Sequence, residues 1–167
     1  YIDLLRYLVG DVKKVYCKMG TFGAKIEVED SVVGNLEFNS GAIGSLEVTT
    51  AARPKDYEAS ITISGDKGFI KVGGVAINEI IDYSIEDVDQ EVIRLIEDSS
   101  EHFSSGYGNS HKKVIESFID SLLFDHKFSI DILDTLNTTK LVHALYRSSE
   151  KSMLVDVNND DSIRLGK

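Results

Sequence analysis

Residues 28–51 read VEDSVVGNLEFNSGAIGSLEVTTA and contain two runs of mixed apolar and polar residues around the tripeptide Asn39-Ser40-Gly41. Asparagine and glycine tolerate the left-handed backbone that a tight hairpin turn requires. Alternation of apolar and polar residues on both sides of the turn is typical of strands with one buried face. We therefore predict an antiparallel hairpin of two strands, Val28 to Phe38 and Ala42 to Ala51.

Further strands are predicted on both sides of this hairpin. Asp11 to Thr21 alternates before it, and Tyr57 to Ser64 alternates after it, followed by the turn Gly65-Asp66-Lys67-Gly68. Mostly apolar runs predict the remaining strands, which are Phe69 to Val72, Val75 to Tyr83 and Met153 to Val157.

Apolar residues at helical spacing predict three helices. Residues 2–9 place their apolar side chains on one side before Gly10, and glycine commonly follows the last turn of a helix. Asn109-Ser110 is suited to capping a helix that runs to Leu123, and another helix fits Asp131 to Ser149.

This order of elements predicts an α+β fold in a single domain, residues 1–167. A helix, a series of strands and then two helices favour an open, predominantly antiparallel β-sheet with helices packed on one face. A chain of 167 residues has the size of one domain, and 42% hydrophobic with 28% charged residues is ordinary for a folded protein. The acidic and then serine- and glycine-rich stretch 84–108 is expected to be a strand end and a mobile loop.

Charge and cysteine content exclude several classes of partner. The net charge of -10 repels phosphate backbones, and the 18 lysines and arginines form no run, so no nucleic acid is expected. No apolar stretch of about 18 residues is present, so we expect no membrane segment. Cys17 has no second cysteine to pair with, which favours a reducing compartment, by default the cytoplasm, and its strand position predicts a buried, inert thiol.

Several motifs in succession resemble a known family. The segment Ile2 to Gly10, followed by Val28-Glu29-Asp30 and Asn39-Ser40-Gly41-Ala42, is similar to the C-terminal domain of the glucose-fructose oxidoreductase, inositol dehydrogenase and MocA (Gfo/Idh/MocA) family. Later segments resemble the same family in the same order, so the likeness covers essentially the whole chain; they are Ile63 to Gly68, His111 to Phe118 and Ala144 to Ser149.

The resemblance implies a protein of two domains, in which an N-terminal Rossmann domain binds NAD or NADP and the C-terminal domain covers a sugar. No G-x-G-x-x-G motif opens a helix after a strand here, so the Rossmann domain is expected to be absent from this chain. The resemblance places the catalytic histidine and lysine upstream of Tyr1. We therefore expect the chain alone to bind no cofactor, to contain no catalytic residue and to show no turnover.

Two segments, Ala51 to Glu58 and Gly73 to Ile80, are most similar to one branch of the family. That branch oxidises UDP-N-acetylglucosaminuronic acid and related nucleotide-linked aminosugars during the synthesis of surface polysaccharide such as lipopolysaccharide. A dehydrogenase of free sugars or cyclitols is one alternative hypothesis. A non-catalytic sugar-binding or assembly module is another.

Arg53 and Lys55 flank Pro54 at a predicted strand end and are candidate substrate ligands. A planar guanidinium suits two-pronged binding of a carboxylate or phosphate, which makes Arg53 the better candidate of the two. A solvated surface loop or a subunit contact would explain both charges without a ligand.

Tyr107, Asn109 and His111 are also candidate substrate ligands, because they lie at the start of a predicted helix. The backbone amides there favour an anionic or hydroxylated ligand. Ordinary capping by Asn109 or Ser110, with a solvated His111, is the alternative.

No metal site is expected, because His102, His126 and His143 have no partner at ligand spacing. Glu29 and Asp30 are expected to be a solvated pair at a sheet edge rather than acid–base groups. The resemblance implies that uncovered sheet faces pair between subunits, so we expect a homo-oligomer through the sheet.

Overall fold

The structure, a computed structural model, describes residues 1–55, 57–74, 77–101 and 110–159. The chain divides into two compact units, of which the first comprises Tyr1–Asp56 with Ile130–Lys167 and the second comprises Tyr57–Ser129. The described residues form four helices, α1 (Ile2–Val9), α2 (Gln90–Asp98), α3 (Ser110–Phe124) and α4 (Ile132–Lys151). They also form seven strands, β1 (Val12–Gly20), β2 (Ser31–Phe38), β3 (Ile43–Thr49), β4 (Ile61–Gly65), β5 (Gly68–Gly73), β6 (Glu79–Ile85) and β7 (Val155–Asp156).

The first unit is built on an antiparallel four-stranded sheet in the order β3-β2-β1-β7. The hairpin predicted from the sequence is confirmed, since β2 and β3 pair antiparallel with Val32 opposite Val48. Its turn contains Gly41 at φ 89°, a left-handed conformation that glycine adopts without strain. The Gly41 N–H donates to the Phe38 carbonyl at 3.0 Å and closes the turn.

The core of this unit lies between one face of the sheet and α4. Val15 and Cys17 of β1 are fully buried, and they belong to one hydrophobic cluster with Leu141 and Leu145 of α4. The Cys17 N–H donates to the Ser148 hydroxyl at 3.0 Å, and its thiol donates to the Leu145 carbonyl at 2.8 Å. Burial raises the pKa of the Cys17 thiol to about 11, and the burial of this cysteine predicted from the sequence is confirmed.

Apolar residues at helical spacing on α4 form the other side of this core. The predicted helix is confirmed, and Asp131 caps it by accepting a hydrogen bond from the Leu133 N–H at 2.8 Å. All the buried hydrophobic residues among the described ones belong to the first unit; they are Val12, Val15, Cys17, Leu36, Phe38, Leu141, Ala144, Leu145, Val155 and Val157.

Arg6 fastens α1 to α4. Only 6% of Arg6 is exposed, and its guanidinium donates to Asp11 Oδ1 at 2.6 and 2.9 Å and to Asp134 Oδ1 at 2.9 Å. It also donates to the Thr138 hydroxyl at 2.6 Å. A buried charge is tolerated only when it is paired and hydrogen-bonded, so these contacts fix how α1 lies on α4. The helix ends at Gly10, as predicted, where φ is 100°.

The second unit contains a three-stranded antiparallel sheet in the order β4-β5-β6. The α+β class and the open antiparallel strands are thus confirmed, with the strands divided between two sheets. The described residues between Thr49 and Ile61 form no strand, and they include Pro54, which has no N–H to donate to a sheet. Within the described ranges, none of the helices has the length and apolar character that a membrane crossing requires.

The stretch 84–108 differs from its prediction. A loop is expected there, but Gln90–Asp98 forms α2, so that expectation is wrong for these residues. Val92, Ile93 and Ile96 recur at helical spacing within acidic surroundings, and Glu91 in the first turn favours the positive end of the helix. Residues 102–109 lie outside the described part of the chain.

Candidate functional site

A buried carboxylate holds the loop between β1 and β2. Only 3% of Asp30 is exposed, and its carboxylate accepts hydrogen bonds from three consecutive backbone N–H groups and one hydroxyl. The donors are Phe22 N at 3.0 Å, Gly23 N at 2.7 Å, Ala24 N at 2.9 Å and Ser31 Oγ at 3.0 Å. These bonds, that of Gly23 foremost, lower the pKa of Asp30 to about 2. The carboxylate is therefore an ionised structural anchor.

This arrangement corrects the expectation that Glu29 and Asp30 form a solvated pair. Asp30 is buried, and Glu29 accepts a hydrogen bond from the Tyr146 hydroxyl on α4. Strand β2 consequently begins at Ser31, three residues after the predicted start at Val28, because Asp30 turns its side chain back onto the loop.

The anchored loop lies against the segment that follows β3. A Cβ added at Gly23 would lie 2.7 Å from the Ala51 Cβ, so the two backbones approach as closely as glycine allows. Phe22, whose exposed fraction is 82%, lies over Gly20, where an added Cβ would be 2.5 Å from the phenyl Cζ. The sequence analysis does not single out Phe22, although glycines two residues before it and one residue after it are a signal of close backbone approach.

Arg53 lies on the backbone of this same segment. Its Nη1 donates to the Ala52 carbonyl at 2.7 Å and to the Thr50 carbonyl at 3.4 Å. Arg53 and Lys55 are both exposed, and neither forms an ion pair with a carboxylate in the described part of the chain. We name the surface formed by Phe22, Ser31, Thr49 and Arg53 the sheet-end site.

The other candidate ligands lie outside the first unit or outside the described residues. Tyr107 and Asn109 lie outside the described residues, and His111 is an exposed residue in the first turn of α3. His111 belongs to the second unit, whereas Arg53 and Lys55 belong to the first. Over the described ranges, no three histidine, cysteine or acidic side chains are grouped as metal ligands.

Two comparisons with known proteins identify this fold. Residues 1–71 match the family model described as the GFO/IDH/MocA C-terminal domain. The chain belongs to the GFO/IDH/MocA family. The family predicted from the sequence motifs is therefore confirmed.

The GFO/IDH/MocA domain is similar to two solved dehydrogenases of one kind. The WlbA dehydrogenase from Bordetella pertussis, in complex with NADH and UDP-GlcNAcA, is 34% identical with a TM-score of 0.86, over 96% of this chain and 46% of that one. The WlbA dehydrogenase from Chromobacterium violaceum, with the same two ligands, is also 34% identical with a TM-score of 0.83, over 96% of this chain and 44% of that one. The chain thus spans a little under half the length of either protein.

A more distant structure shares the fold of this GFO/IDH/MocA domain. Levoglucosan dehydrogenase, in complex with NADH and levoglucosan, is 22% identical with a TM-score of 0.71, over 95% of this chain and 48% of that one. A comparison with curated proteins found no match.

We expect Asp30→Asn to lower the Tm at neutral pH, because three N–H groups lose an ionised acceptor. The folded-state pKa of Asp30 is below its usual value, so the carboxylate stabilises the fold above the unfolded-state pKa and loses this effect as the pH falls to about 2. Thermal melts followed by circular dichroism should show the Tm difference between wild type and variant narrowing from about pH 4 to about pH 2.

Glu27→Gln is the matched control, because Glu27 lies exposed in the same loop. It should leave the Tm unchanged across this pH range. Equal effects of the two substitutions would contradict the anchoring role of Asp30.

Proposed function

We propose that this chain is the C-terminal, substrate-side part of an NAD(P)-dependent sugar oxidoreductase. The observation that carries the proposal is 34% identity over 96% of the chain to dehydrogenases solved with NADH and UDP-GlcNAcA. The chain spans under half of those proteins, and its 167 residues contain no G-x-G-x-x-G at a strand-to-helix turn. We infer that a Rossmann domain elsewhere in the full-length protein binds the NAD or NADP.

The proposed substrate is a nucleotide-linked sugar, such as a UDP-aminosugar acid used in surface polysaccharide synthesis. Its diphosphate and carboxylate need cationic or N–H partners, and Arg53 and Lys55 are exposed cations within three residues of each other. The Arg53 guanidinium already donates to the Thr50 and Ala52 carbonyls, which reduces the entropy lost when it binds an anion. Tyr107, Asn109 and His111 remain candidate ligands, of which His111 lies among the described residues.

Two titratable groups of this chain do not suit the role of base in the proposed reaction. A bound nicotinamide would accept hydride from a sugar carbon, and a positioned base must take the hydroxyl proton. Asp30 is committed to three N–H groups with a pKa of about 2, and Cys17 is buried with a pKa of about 11, so neither suits this role. From the family resemblance, we infer that the base lies outside residues 1–167 and that this chain alone neither binds cofactor nor turns over substrate.

We also infer that the protein works in the cytoplasm as a homo-oligomer. The first inference rests on its single, buried and reduced Cys17. The second rests on the sheet face opposite α4, where Val33 is 59% exposed and Ile43 is 86% exposed. Alternating residues of β1, β2 and β3 share this outer face, and a two-fold contact would cover the same apolar side chains on both copies.

The function is tested by following reduced-cofactor absorbance while the full-length protein is offered UDP-GlcNAcA, other UDP-sugars, free glucose and free inositol. We expect turnover with a nucleotide-linked sugar. Arg53→Ala should raise KM about tenfold with kcat nearly unchanged, because it removes binding that is equal in the ground and transition states.

Arg94→Ala is the matched control, since Arg94 is an exposed arginine on α2 in the second unit. It should leave KM unchanged. Turnover with free sugars or cyclitols alone would contradict the proposed substrate, and ligand binding without turnover would favour the non-catalytic sugar-binding module.

The oligomer is tested by sedimentation of Ile43→Asp. A charge at this exposed position on the outer sheet face should dissociate the oligomer into monomers while the circular dichroism spectrum stays unchanged. Ile132→Asp is the control, because Ile132 is 83% exposed on α4, away from the sheet face. A wild-type protein that sediments as a stable monomer at all concentrations would rule out this contact.

A further inference from the structure

The outer face of the β1–β2–β3 sheet carries charges of opposite sign on its two flanking strands. Residues of β1 that alternate with the buried Cys17 point away from α4, so this strand presents Lys14 and Lys18 on the outer face. Lys18 is opposite Val33 on β2, and Val33 is opposite Glu47 on β3, so these three side chains form one row across the face. The face is therefore basic on β1 and acidic on β3.

Lys18 and Glu47 form no ion pair within the part of the chain that the structure describes. Both residues are exposed, and two strand spacings, about 10 Å, separate their backbones. The Lys18 ammonium donates to the Ser152 hydroxyl at 2.5 Å and keeps two further hydrogens for other acceptors. Both charges are thus available for pairing with another molecule.

A second copy of this face can supply both opposite charges. If a two-fold axis in the plane of the sheet runs across the strands, β1 lies over the partner's β1, and the lysine-bearing strands repel each other. If the axis runs along β2, each β1 lies over the partner's β3. A pure two-fold rotation involves no shift along its axis, so each row then lies over the same row of the other copy. Lys18 consequently faces the partner's Glu47, and Glu47 faces the partner's Lys18.

Other residues of the outer face are compatible with an axis along β2. Val33, which is 59% exposed, would meet its own copy at the axis. Glu37 lies on the same strand, but its carboxylate is already paired with the Lys13 ammonium at 3.5 Å, which offsets the charge that it brings to the axis. Lys14 shares a row with Glu37 and Ile43, so its aliphatic stem would cover the partner's Ile43.

We propose that two copies of this chain associate through the outer sheet face about a two-fold axis along β2, with reciprocal ion pairs between Lys18 of each copy and Glu47 of the other. The pairing rests on the proposed function and its homo-oligomer, and it adds the direction of the axis and the residues that determine it. Surface ion pairs add little affinity, whereas like charges in contact disfavour the alternative packing. The charges therefore determine the orientation of the two copies more than the strength of their contact.

The test is sedimentation of the full-length protein with Lys18→Glu, Glu47→Lys or both substitutions. Each single substitution places like charges at both symmetric contacts, so the dissociation constant of this contact should rise about 30-fold. The double variant restores opposite charges and should return to within about threefold of the wild-type value. Lys18→Gln removes the charge without reversing it, and it should weaken association. An axis across the strands predicts tighter association of this variant, because a repulsion between the two β1 strands is relieved.

Salt dependence distinguishes ion pairing from a general effect of net charge. Raising NaCl from about 50 to about 500 mM should weaken association of the wild type and strengthen that of each single charge-reversal variant, because both attraction and repulsion are screened. Lys67→Glu is the matched control, since Lys67 is exposed in the turn between β4 and β5 and its substitution changes the net charge equally. It should sediment like the wild type at both salt concentrations.

Wild-type association of both single variants would overturn the pairing, and so would a double variant that dissociates as readily as the single ones. If Ile43→Asp still dissociates the oligomer in either case, the sheet contact of the proposed function stands and only the direction of the axis is wrong. A monomeric wild type would overturn both the pairing and the homo-oligomer. Turnover of a nucleotide-linked sugar by the same protein tests the oxidoreductase independently of all these outcomes.

Discussion

The contact between β1 and α4 is the interaction on which the rest of the structure depends. Cys17 donates its N–H to Ser148 and its thiol hydrogen to the Leu145 carbonyl, so strand and helix are joined by directional bonds as well as by apolar packing. Every buried hydrophobic residue of the described chain belongs to the unit that contains this contact. Burial of apolar area is the dominant favourable contribution to folding, so this unit supplies most of the stability.

The geometry of the sheet-end site depends on the contact between β1 and α4. Strand β1 ends at Gly20, and the loop that follows is anchored between Asp30 and the Tyr146–Glu29 hydrogen bond to α4. The segment after β3 then lies against Gly23, which brings Arg53 to the same end of the sheet. The Phe22 N–H and the Arg53 guanidinium are both held by hydrogen bonds at this end of the sheet.

The parts of the fold that follow from local periodicity could be predicted from the sequence. The Asn39-Ser40-Gly41 turn, the stop at Gly10 and the Asp131 cap each combine a specific residue type with a clear apolar pattern. The helix Gln90–Asp98 was not predicted, because its acidic residues obscure its apolar periodicity. The hydrogen bonds to Asp30 could not be predicted either, because they depend on the direction of three backbone N–H groups. Arg53 could be predicted as a charge at a strand end. The position of the Phe22 ring could not be predicted, because it depends on Gly20 and on the hydrogen bond of its N–H to Asp30.

Native-state hydrogen exchange tests the central claim that the β1–α4 contact carries the stability of the chain. If it does, the amides of Cys17 and Leu36 should exchange only through global unfolding, with the slowest rates in the protein. Amides in β4, β5 and β6, whose unit contributes no buried hydrophobic side chain among the described residues, should exchange earlier through partial opening. Equal protection of the two sheets, or slower exchange in β5 than at Cys17, would contradict the account.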